Sequence, residues 1–395
     1  MAHDVRFIVF NSEADHAAEL RAHLLAIEGA KIVAEVDEPA LLPQAIKQFP
    51  VDIALINLDP RPEAILPALA DAVESAPQLA VFATSKCTDG QLILKVMRLG
   101  IREFLPKPID AATLSEAVRR VARQRGETKA QGKLITVTGA SGGVGATVLA
   151  TNLAAELAAI TSGDVVVVDL DYRFGQVATL LDIEAKYTLA DLCASPEQLE
   201  AQVIDRVLVK HSSGVRVLSR PSSLAQADTL TAATCVGVLA NLLEHHDYVV
   251  ADGPTRSDIN AKSVFDIADV SILLLQLLVP TVRNAVRIMD GLREGGFGLD
   301  RIRVVCNRVG RDSQSLSVDN VAETLGVPVN ASIADDWAVV SGAINLGETL
   351  QDHSPKSKAR LAIKEIAQRL HNPSTDSDER DEKKKGLIGR IFAGA

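Results

Sequence analysis

One segment near the middle of the chain constrains the fold more than any other, because it predicts a complete strand, loop, helix and strand in order. The apolar run KLITVTG predicts a strand, ASGGVGA a glycine-rich turn, and TVLATNLAAELAAI a helix. The run DVVVVDLD then predicts a second strand. Two strands joined through a helix are parallel and lie in one sheet. We therefore expect a parallel sheet with the glycine-rich loop at the carboxyl end of a strand.

The same alternation extends along most of the chain and divides it into two parts. Five short apolar runs precede the unit: RFIVF, KIVAEV, VDIALINL, LAVFATS and EFLPKP. Three more follow it: DYVVADG, VSILLLQLLV and RIRVVCN. Continuous Val, Ile and Leu runs are typical of parallel strands covered by helices on both faces. A chain of 395 residues can bury more than one core, so the sequence predicts an α/β fold with two doubly wound parallel-sheet domains.

Composition shifts place the boundaries of these domains. We predict a front domain over residues 1–121, a charged linker over 122–133, a second domain over 134–371 and a tail over 372–395. The tail sequence HNPSTDSDERDEKKK is rich in proline, serine and charge, which predicts disorder.

Charge and cysteine usage exclude some classes of protein. The formal net charge of -10 argues against nucleic-acid binding as the main activity, because such binding depends on neutralising phosphates. The four cysteines lack metal-ligand or redox spacing, which favours buried thiols in a reducing compartment. The amino-terminal residues lack a signal-peptide pattern, and the longest apolar run is too short to span a bilayer. We therefore expect a cytoplasmic protein.

The glycine-rich loop has the composition of a phosphate-binding loop. Gly142, Gly143 and Gly145 allow the backbone to form a concave nest of N–H donors at the start of a helix. These donors and the positive end of the helix dipole favour an anion. Thr147 begins the helix, where its hydroxyl can reach Mg²⁺.

Carboxylates follow two other predicted strands. Asp169 and Asp171 end one strand and Asp252 ends another. The carboxyl ends of parallel strands border the binding crevice of an open sheet. One such carboxylate can hold Mg²⁺ and another, Asp171, can orient an attacking water. We predict a metal site of Thr147, Asp169 and Asp252.

These motifs resemble those of the deviant Walker-A ATPases of the MinD/ParA superfamily. The family pattern K-G-G-V-G-K-T is matched in order by Ser141, Gly142, Gly143, Val144, Gly145, Ala146 and Thr147. The D-x-D and D-x-P patterns correspond to Asp169-Leu170-Asp171 and Asp252-Gly253-Pro254. The resemblance implies a P-loop fold of the MinD/ParA type that binds ATP with Mg²⁺. It also implies that Asn307 and its neighbour Arg308 contact the nucleotide, Asn307 at the adenine.

Two departures from the family pattern affect the expected chemistry. Ser141 and Ala146 stand where the family has lysines. Their loss removes positive charge from the place where negative charge develops in phosphoryl transfer. We therefore expect ATP binding that is retained but weakened, with slow or absent hydrolysis. Arg173 could supply a replacement cation, although we expect it on the surface.

The front domain resembles a response-regulator receiver, which has a flavodoxin-like fold. Thr84 and Lys107 match the hydroxyl and lysine of that family. Asn57 stands at the position of the phosphorylated aspartate, and Asn11 and Ser12 stand where the family has metal-binding acids. An amide cannot form an acyl phosphate, so we interpret the domain as a pseudo-receiver that binds a partner or dimerises.

The last segment, KKKGLIGRIF, predicts a short basic amphipathic helix, with one apolar face formed by Leu387, Ile388, Ile391 and Phe392. It resembles the carboxyl-terminal membrane-targeting helix of MinD, which implies contact with an anionic inner-membrane surface. A solvated tail remains the alternative.

A degenerate receiver ahead of a MinD/ParA-like domain with alanine at the Walker lysine resembles the CpaE/TadZ group. The resemblance implies a homodimeric localisation factor, often at a cell pole, for a Flp-type (Tad) pilus and its secretion machine. Its partners would include the assembly ATPase and membrane components. A ParA-like DNA-partitioning ATPase and a P-loop phosphotransferase remain alternatives.

Overall fold

The computed structural model describes most of the chain. The described residues are 5–27, 29–49, 51–76, 78–125, 132–161, 164–194, 201–253, 261–294, 297–310 and 316–372. In these ranges no helix has both the length and the apolar character needed to cross a membrane.

The front domain is a parallel five-stranded sheet with the strand order β2-β1-β3-β4-β5. This is the flavodoxin-like order, in which helices cover both faces. The strands are β1 (Val5–Phe10), β2 (Ala30–Val36), β3 (Ile53–Asn57), β4 (Ala80–Ser85) and β5 (Glu103–Pro106). The helices are α1 (Ala14–Leu25), α2 (Leu42–Gln48), α3 (Pro62–Ser75), α4 (Gly90–Arg98) and α5 (Ala111–Arg125). The predicted fold class is confirmed for this domain.

The second domain is built on a larger sheet with the order β13-β12-β11-β6-β10-β7-β9-β8, in which only the β8–β9 pair is antiparallel. Its strands are β6 (Lys133–Gly139), β7 (Val165–Asp169), β8 (Val209–Lys210), β9 (Arg216–Leu218), β10 (Tyr248–Asp252), β11 (Val270–Gln276), β12 (Ile302–Val309) and β13 (Val329–Ala334). After β6 the chain forms β7 to β10 on one side of that strand and then β11 to β13 on the other. The carboxyl end of β6 is therefore the switch point where open α/β sheets bind ligands.

The described part of the second domain contains twelve α-helices. They are α6 (Ala146–Thr161), α7 (Val177–Leu180), α8 (Leu189–Ala194), α9 (Ala201–Val207), α10 (Leu224–Ala227), α11 (Ala232–His245), α12 (Ala261–Ile267), α13 (Val279–Glu294), α14 (Val318–Leu325), α15 (Trp337–Leu346), α16 (Leu350–His353) and α17 (Lys358–His371). Helix α6 is buried over most of its length because α17 covers the side that the sheet does not. The α6–α17 contact includes a bidentate pair in which Arg360 Nε and Nη2 donate to the Glu156 carboxylate at 2.6 and 3.0 Å.

The two domains meet along β2, an edge strand of the front sheet, which packs against α11 and α12. Lys31 on β2 is 2% exposed, and its ammonium lies 2.9 Å from the Asp269 carboxylate of the second domain. Arg6 joins Asp52 of its own domain to Glu244 of α11. The second domain thus covers a sheet edge that would otherwise be free to pair with another chain.

The structure extends the predicted strand pattern at several points. Strands β8, β9 and β13 lie outside the apolar runs, because β8 and β9 have only two and three residues and β13 is partly exposed. Helix α5 continues to Arg125, inside the predicted linker, and β6 begins at Lys133, its last residue. The domain limits otherwise stay a prediction.

Candidate functional site

The glycine-rich loop lies between β6 and α6, at the switch point of the sheet. Gly143 and Gly145 have φ angles of +73° and +100°, which residues with a Cβ adopt only with strain. A Cβ on Gly145 would lie 2.7 Å from Nδ2 of Asn307. That Nδ2 donates to the carbonyl of Val144 at 2.7 Å, so β12 holds the loop in its curved form.

The backbone of this loop presents donors without protein acceptors. None of the amides from Gly142 to Thr147 donates to an acceptor within the described ranges. A Cβ on Gly142 or Gly143 would meet no atom within 4 Å, so that side of the loop is open. Free amides at the start of a long helix form a site for phosphate or another anion.

A cavity of about 730 Å³ opens on this loop. Its wall contains every residue of the predicted loop, together with Asp171, Asp252, Asn307 and Arg308. The structure therefore brings these predicted residues together around one cavity, and their contact with a nucleotide stays a prediction. The arginine is the only cationic side chain among the described lining residues, so the described wall offers no lysine in place of the two that the loop lacks.

Asp252 faces the cavity from the end of β10. It is 3% exposed, and the Thr147 hydroxyl hydrogen-bonds to its carboxylate. Burial, together with the charge of Asp171, raises its pKa to about 7, against the opposing effect of that hydrogen bond. The Thr147 hydroxyl and the Asp252 carboxylate thus lie near each other on the cavity wall, as two ligands of one metal ion would.

Asp169 lies deeper in the fold, and its carboxylate accepts hydrogen bonds from the loop that follows β7. Its two carboxylate oxygens accept from the amides of Asp171 and Val177, at 3.2 and 3.1 Å. Burial, and then the nearby charge of Asp252, raise the pKa of Asp169 well above its ordinary value. Asp169 is absent from the described cavity wall, and its role as a metal ligand stays a prediction.

Asp171 is half-buried at the cavity wall, and its Oδ1 accepts from the amide of Phe174 at 3.1 Å. Arg173 forms an ion pair with Asp228 on the surface of the protein. The expectation that Arg173 is a surface residue agrees with this pairing. The water-orienting role of Asp171 stays a prediction.

The donor set at this site fits Mg²⁺ when the ion is shared with a ligand. Among the described residues, no group of three or more His, Cys, Asp or Glu side chains could hold a metal ion. Magnesium commonly takes one or two protein oxygens and completes its shell with phosphate oxygens and water. Thr147 and Asp252 supply such a pair.

Sequence reasoning missed one prominent part of the cavity wall. Trp337, the first residue of α15, lines the cavity and is 49% exposed. The guanidinium carbon of Arg308 lies 5.0 Å from the centroid of its ring. The signal available in the sequence was that Trp337 is the only tryptophan of the chain.

A second polar cluster lies at the carboxyl end of the front sheet. Lys107 Nζ lies 2.9 Å from Oε2 of Glu13 and 3.0 Å from Oδ2 of Asp59. Asn57 donates to Asn11 at 2.7 Å and to Glu13 at 3.1 Å. The lysine is therefore balanced by two carboxylates of its own domain.

Two details of the front cluster differ from the sequence expectation. The hydroxyl that bonds to the cluster is that of Ser85, which donates to Asp59 at 2.7 Å, whereas the Thr84 hydroxyl is buried. Burial tends to raise the pKa of Asp59, but donors from Ser85, Lys86 and Lys107 hold it below its ordinary value. Asp59 thus has a buried structural role that sequence reasoning did not give it.

Some predicted residues lie outside the described ranges. These are Pro254 of the D-x-P motif and the apolar face of the tail, Leu387, Ile388, Ile391 and Phe392.

Comparison with known proteins agrees with the fold of the second domain. A family model described as the CobQ/CobB/MinD/ParA nucleotide binding domain matches residues 135–345. The septum site-determining protein MinD of Synechocystis sp. is 27% identical over 245 residues, which cover 60% of this chain and 89% of that protein.

Two solved structures share the same architecture. A ParA family ATPase from Chlorobium tepidum superposes with a TM-score of 0.57 and 19% identity, over 60% of this chain and 98% of that one. MinD from Pyrococcus horikoshii in complex with Mg-ADP gives 0.54 and 20%, over 61% and 97%. At this identity the likeness concerns the fold.

Proposed function

Because this chain belongs to the CobQ/CobB/MinD/ParA nucleotide-binding family, we propose that it binds ATP with Mg²⁺ and hydrolyses it slowly or not at all. The observation that carries this proposal is a phosphate-binding loop whose amides are free and whose lysines are absent. The amides from Gly142 to Thr147 would hold the phosphates, and Thr147 and Asp252 would hold the metal ion. Magnesium would neutralise phosphate charge and bridge the phosphates to the protein.

The electrostatics of the cavity support weak turnover. Transition-state charge on a transferred phosphoryl group is normally stabilised by cations fixed close to it. Ser141 and Ala146 bring no charge to the loop, and among the described wall residues only Arg308 is cationic. Ground-state binding depends more on the backbone nest, which is complete here.

The two-domain arrangement supports a role in localisation rather than metabolism. We propose a cytoplasmic homodimer whose front domain selects a partner and whose tail touches the inner membrane. Its partners would be components of a Flp-type (Tad) pilus and its secretion machine, including the assembly ATPase. The front domain supports this role because Asn57 stands at the position that is phosphorylated in receivers, and an amide cannot be phosphorylated there. In addition, Lys107 is paired with two carboxylates of the same domain. The Synechocystis relative is named a septum site-determining protein.

Nucleotide binding is tested with a matched pair of glycine variants. Gly143→Asp places a carboxylate in the anion site at a positive φ, and Gly214→Asp makes the same change at φ +90° in the β8–β9 turn, away from the cavity. Equilibrium dialysis with labelled ATP and Mg²⁺ should show binding by the parent and Gly214→Asp, and loss by Gly143→Asp. Equal binding by all three would remove the loop from the mechanism.

Hydrolysis is tested by restoring charge. Ala146→Lys returns a cation to the first turn of α6, and Ala146→Met adds similar length without charge. We expect the lysine variant to hydrolyse ATP faster than the parent by about 10²-fold, the order that one electrostatic donor contributes. Rapid turnover by the parent, unchanged by the lysine, would refute the proposal of slow hydrolysis.

The localisation role is tested with partners and membranes. Sedimentation with anionic liposomes should bring down the full chain with Mg-ATP, and truncation after Glu382 should reduce the bound fraction. Binding of the purified pilus assembly ATPase should be lost when residues 1–121 are removed. A salt-dependent gel shift of DNA, with neither of these results, would favour the partitioning alternative.

A further inference from the structure

A second cavity lies in the front domain, and we propose that it binds a small zwitterion of the apolar amino-acid class. Residues of α1, of the ends of β1, β3 and β4, and of the loop after β5 line this cavity, which has a volume of about 260 Å³. It therefore opens at the carboxyl end of the front sheet, where open α/β sheets bind ligands. The site is separate from the nucleotide cavity and does not depend on the proposed ATP binding.

The size of the cavity limits the ligand to a small molecule. Sites for drug-sized ligands have volumes of about 300–1,000 Å³, and this cavity is slightly smaller. One water molecule takes about 30 Å³ in the liquid, so the space corresponds to about nine waters. A single amino acid the size of leucine fits that space, whereas a nucleotide does not.

The amide side chains on the cavity wall already have partners within the domain. Nδ2 of Asn57 donates to Oδ1 of Asn11 at 2.7 Å and to Oε2 of Glu13 at 3.1 Å, and its Oδ1 accepts from the amide of Asp59 at 3.1 Å. Nδ2 of Asn11 donates to the carbonyl of Glu13 at 2.9 Å. Recognition of a ligand therefore depends on the charged residues of the wall.

Two lysines on the wall keep donors for an anionic group. Nζ of Lys107 lies 2.9 Å from Glu13 and 3.0 Å from Asp59, while Nζ of Lys86 lies 3.3 Å from Glu13. An ammonium group has three donors, so each lysine retains at least one. Glu13 and Asp59 are absent from the described wall. They balance the charge of the lysines without filling the cavity, and a ligand carboxylate can reach the remaining donors.

The charge of the whole site favours a zwitterion over a simple anion. Glu13 and Asp59 already match the charges of the two lysines, and Glu19 on the exposed side of α1 adds a further carboxylate to the wall. A carboxylate can accept several hydrogen bonds at once. A ligand that brings a carboxylate to the lysines and an ammonium group to Glu19 adds no net charge to the site.

The rest of the wall suits an apolar side chain. Pockets for small molecules are mostly apolar and use a few polar groups to orient the ligand. Leu20, which is buried, lies on this wall together with Pro108 and Ile109. An amino acid with an apolar side chain therefore matches the described wall at both of its ends. It would give a front domain with an amide at the phosphorylation position a chemical input of another kind.

The test uses three ligands with the same apolar body. The full-length protein is titrated with L-leucine, with isocaproate, which lacks the ammonium group, and with isopentylamine, which lacks the carboxylate. Isothermal titration calorimetry measures affinity, and saturation-transfer NMR detects weak binding. We expect leucine to bind and each of the other two to bind roughly 10- to 150-fold more weakly, because each loses its charged hydrogen bonds.

Matched variants assign each charged group. Glu19→Gln should weaken leucine binding by about 3- to 10-fold and leave isocaproate unchanged, with Glu74→Gln on exposed α3 as the control. Lys86→Gln should weaken leucine and isocaproate but not isopentylamine. Lys95→Gln is its control, because the side chains of Lys86 and Lys95 are 56% and 54% exposed and each pairs with a glutamate. Ile109→Trp, which fills the cavity, should abolish binding of all three ligands, and circular dichroism checks that it folds.

Each contrary result refutes the inference without affecting ATP binding by the second domain. If millimolar leucine gives neither heat nor saturation transfer, the cavity does not bind amino acids. If isocaproate binds as tightly as leucine and Glu19→Gln changes neither affinity, the cavity is an anion site and the zwitterion is refuted. If folded Ile109→Trp binds leucine like the parent, leucine binds elsewhere on the protein.

Discussion

Replacing Asp252 with asparagine should make the nucleotide-free protein more stable at neutral pH. The carboxylate is 3% exposed and its pKa is about 7, against an ordinary value of 3.8. Between these two values the folded state binds more protons at this site than the unfolded state, so stability falls as pH rises through that window. Each pKa unit corresponds to ~1.4 kcal/mol, and a shift of this size sets a ceiling of ~4 kcal/mol.

The expected gain in the free energy of unfolding is about 1–3 kcal/mol at pH 7.5. It is smaller than the ceiling because the introduced amide also loses hydration, although its oxygen can still accept from the Thr147 hydroxyl. At pH 4.5 most of the gain should disappear, since the parent carboxylate is then protonated in the folded state and partly protonated in the unfolded state. The same variant should bind Mg-ATP more weakly at pH 7.5, because a neutral amide is a poorer magnesium ligand.

Urea unfolding in EDTA at pH 4.5 and 7.5 measures this difference, with Trp337 fluorescence as the reporter of the second domain. Asp71→Asn, on the exposed face of α3, is the control for loss of a carboxylate without burial. If Asp252→Asn raises the free energy of unfolding equally at both pH values, or lowers it at pH 7.5, the argument that the buried Asp252 carboxylate destabilises the folded state is refuted.

Two further predictions concern the front domain and its junction with the second. Lys31→Met leaves the partly buried Asp269 without its ammonium partner and should lower stability by ~3 kcal/mol in urea unfolding, whereas Lys47→Met on the exposed face of α2 should change it little. The hydrogen bond from Lys107, with smaller contributions from neighbouring donors, lowers the pKa of Glu13 to about 2. Its contribution to stability should be complete above about pH 5 and be lost as pH falls toward 2. In Glu13→Gln, unfolding followed by circular dichroism should lack that part of the acid dependence; an unchanged pH profile would contradict this assignment.

The sequence was sufficient to predict the fold class and the position of the glycine-rich loop between a strand and a helix, because both depend on local patterns. Long apolar runs separated by helices determine parallel sheets, and glycines between a strand and a helix determine a concave loop. The short strands β8, at the edge of the sheet, and β9, next to it, carry little apolar signal, since pairing and not composition makes them strands. Their existence could not be predicted from a two-residue or three-residue run.

The sequence also predicted that Asp252 lies beside the loop, because parallel strands of one sheet end at the same edge, and the family resemblance predicted the same position for Asn307. It did not distinguish Asp169 from Asp252. Both residues follow apolar strands. Only the packed structure shows that both carboxylate oxygens of Asp169 accept hydrogen bonds from backbone amides, whereas the carboxylate of Asp252 lies near the Thr147 hydroxyl.

The amino-acid sequence by itself determined that this protein has two α/β domains and a glycine-rich loop without lysines between a strand and a helix, because strand length, glycine spacing and residue identity are local properties. Only the tertiary structure decided which distant side chains meet. It paired Lys107 with Glu13 and Asp59 and stacked Arg308 on Trp337. These contacts depend on the rotation of each strand and helix against its neighbours, and that geometry is fixed by the packing of the whole core.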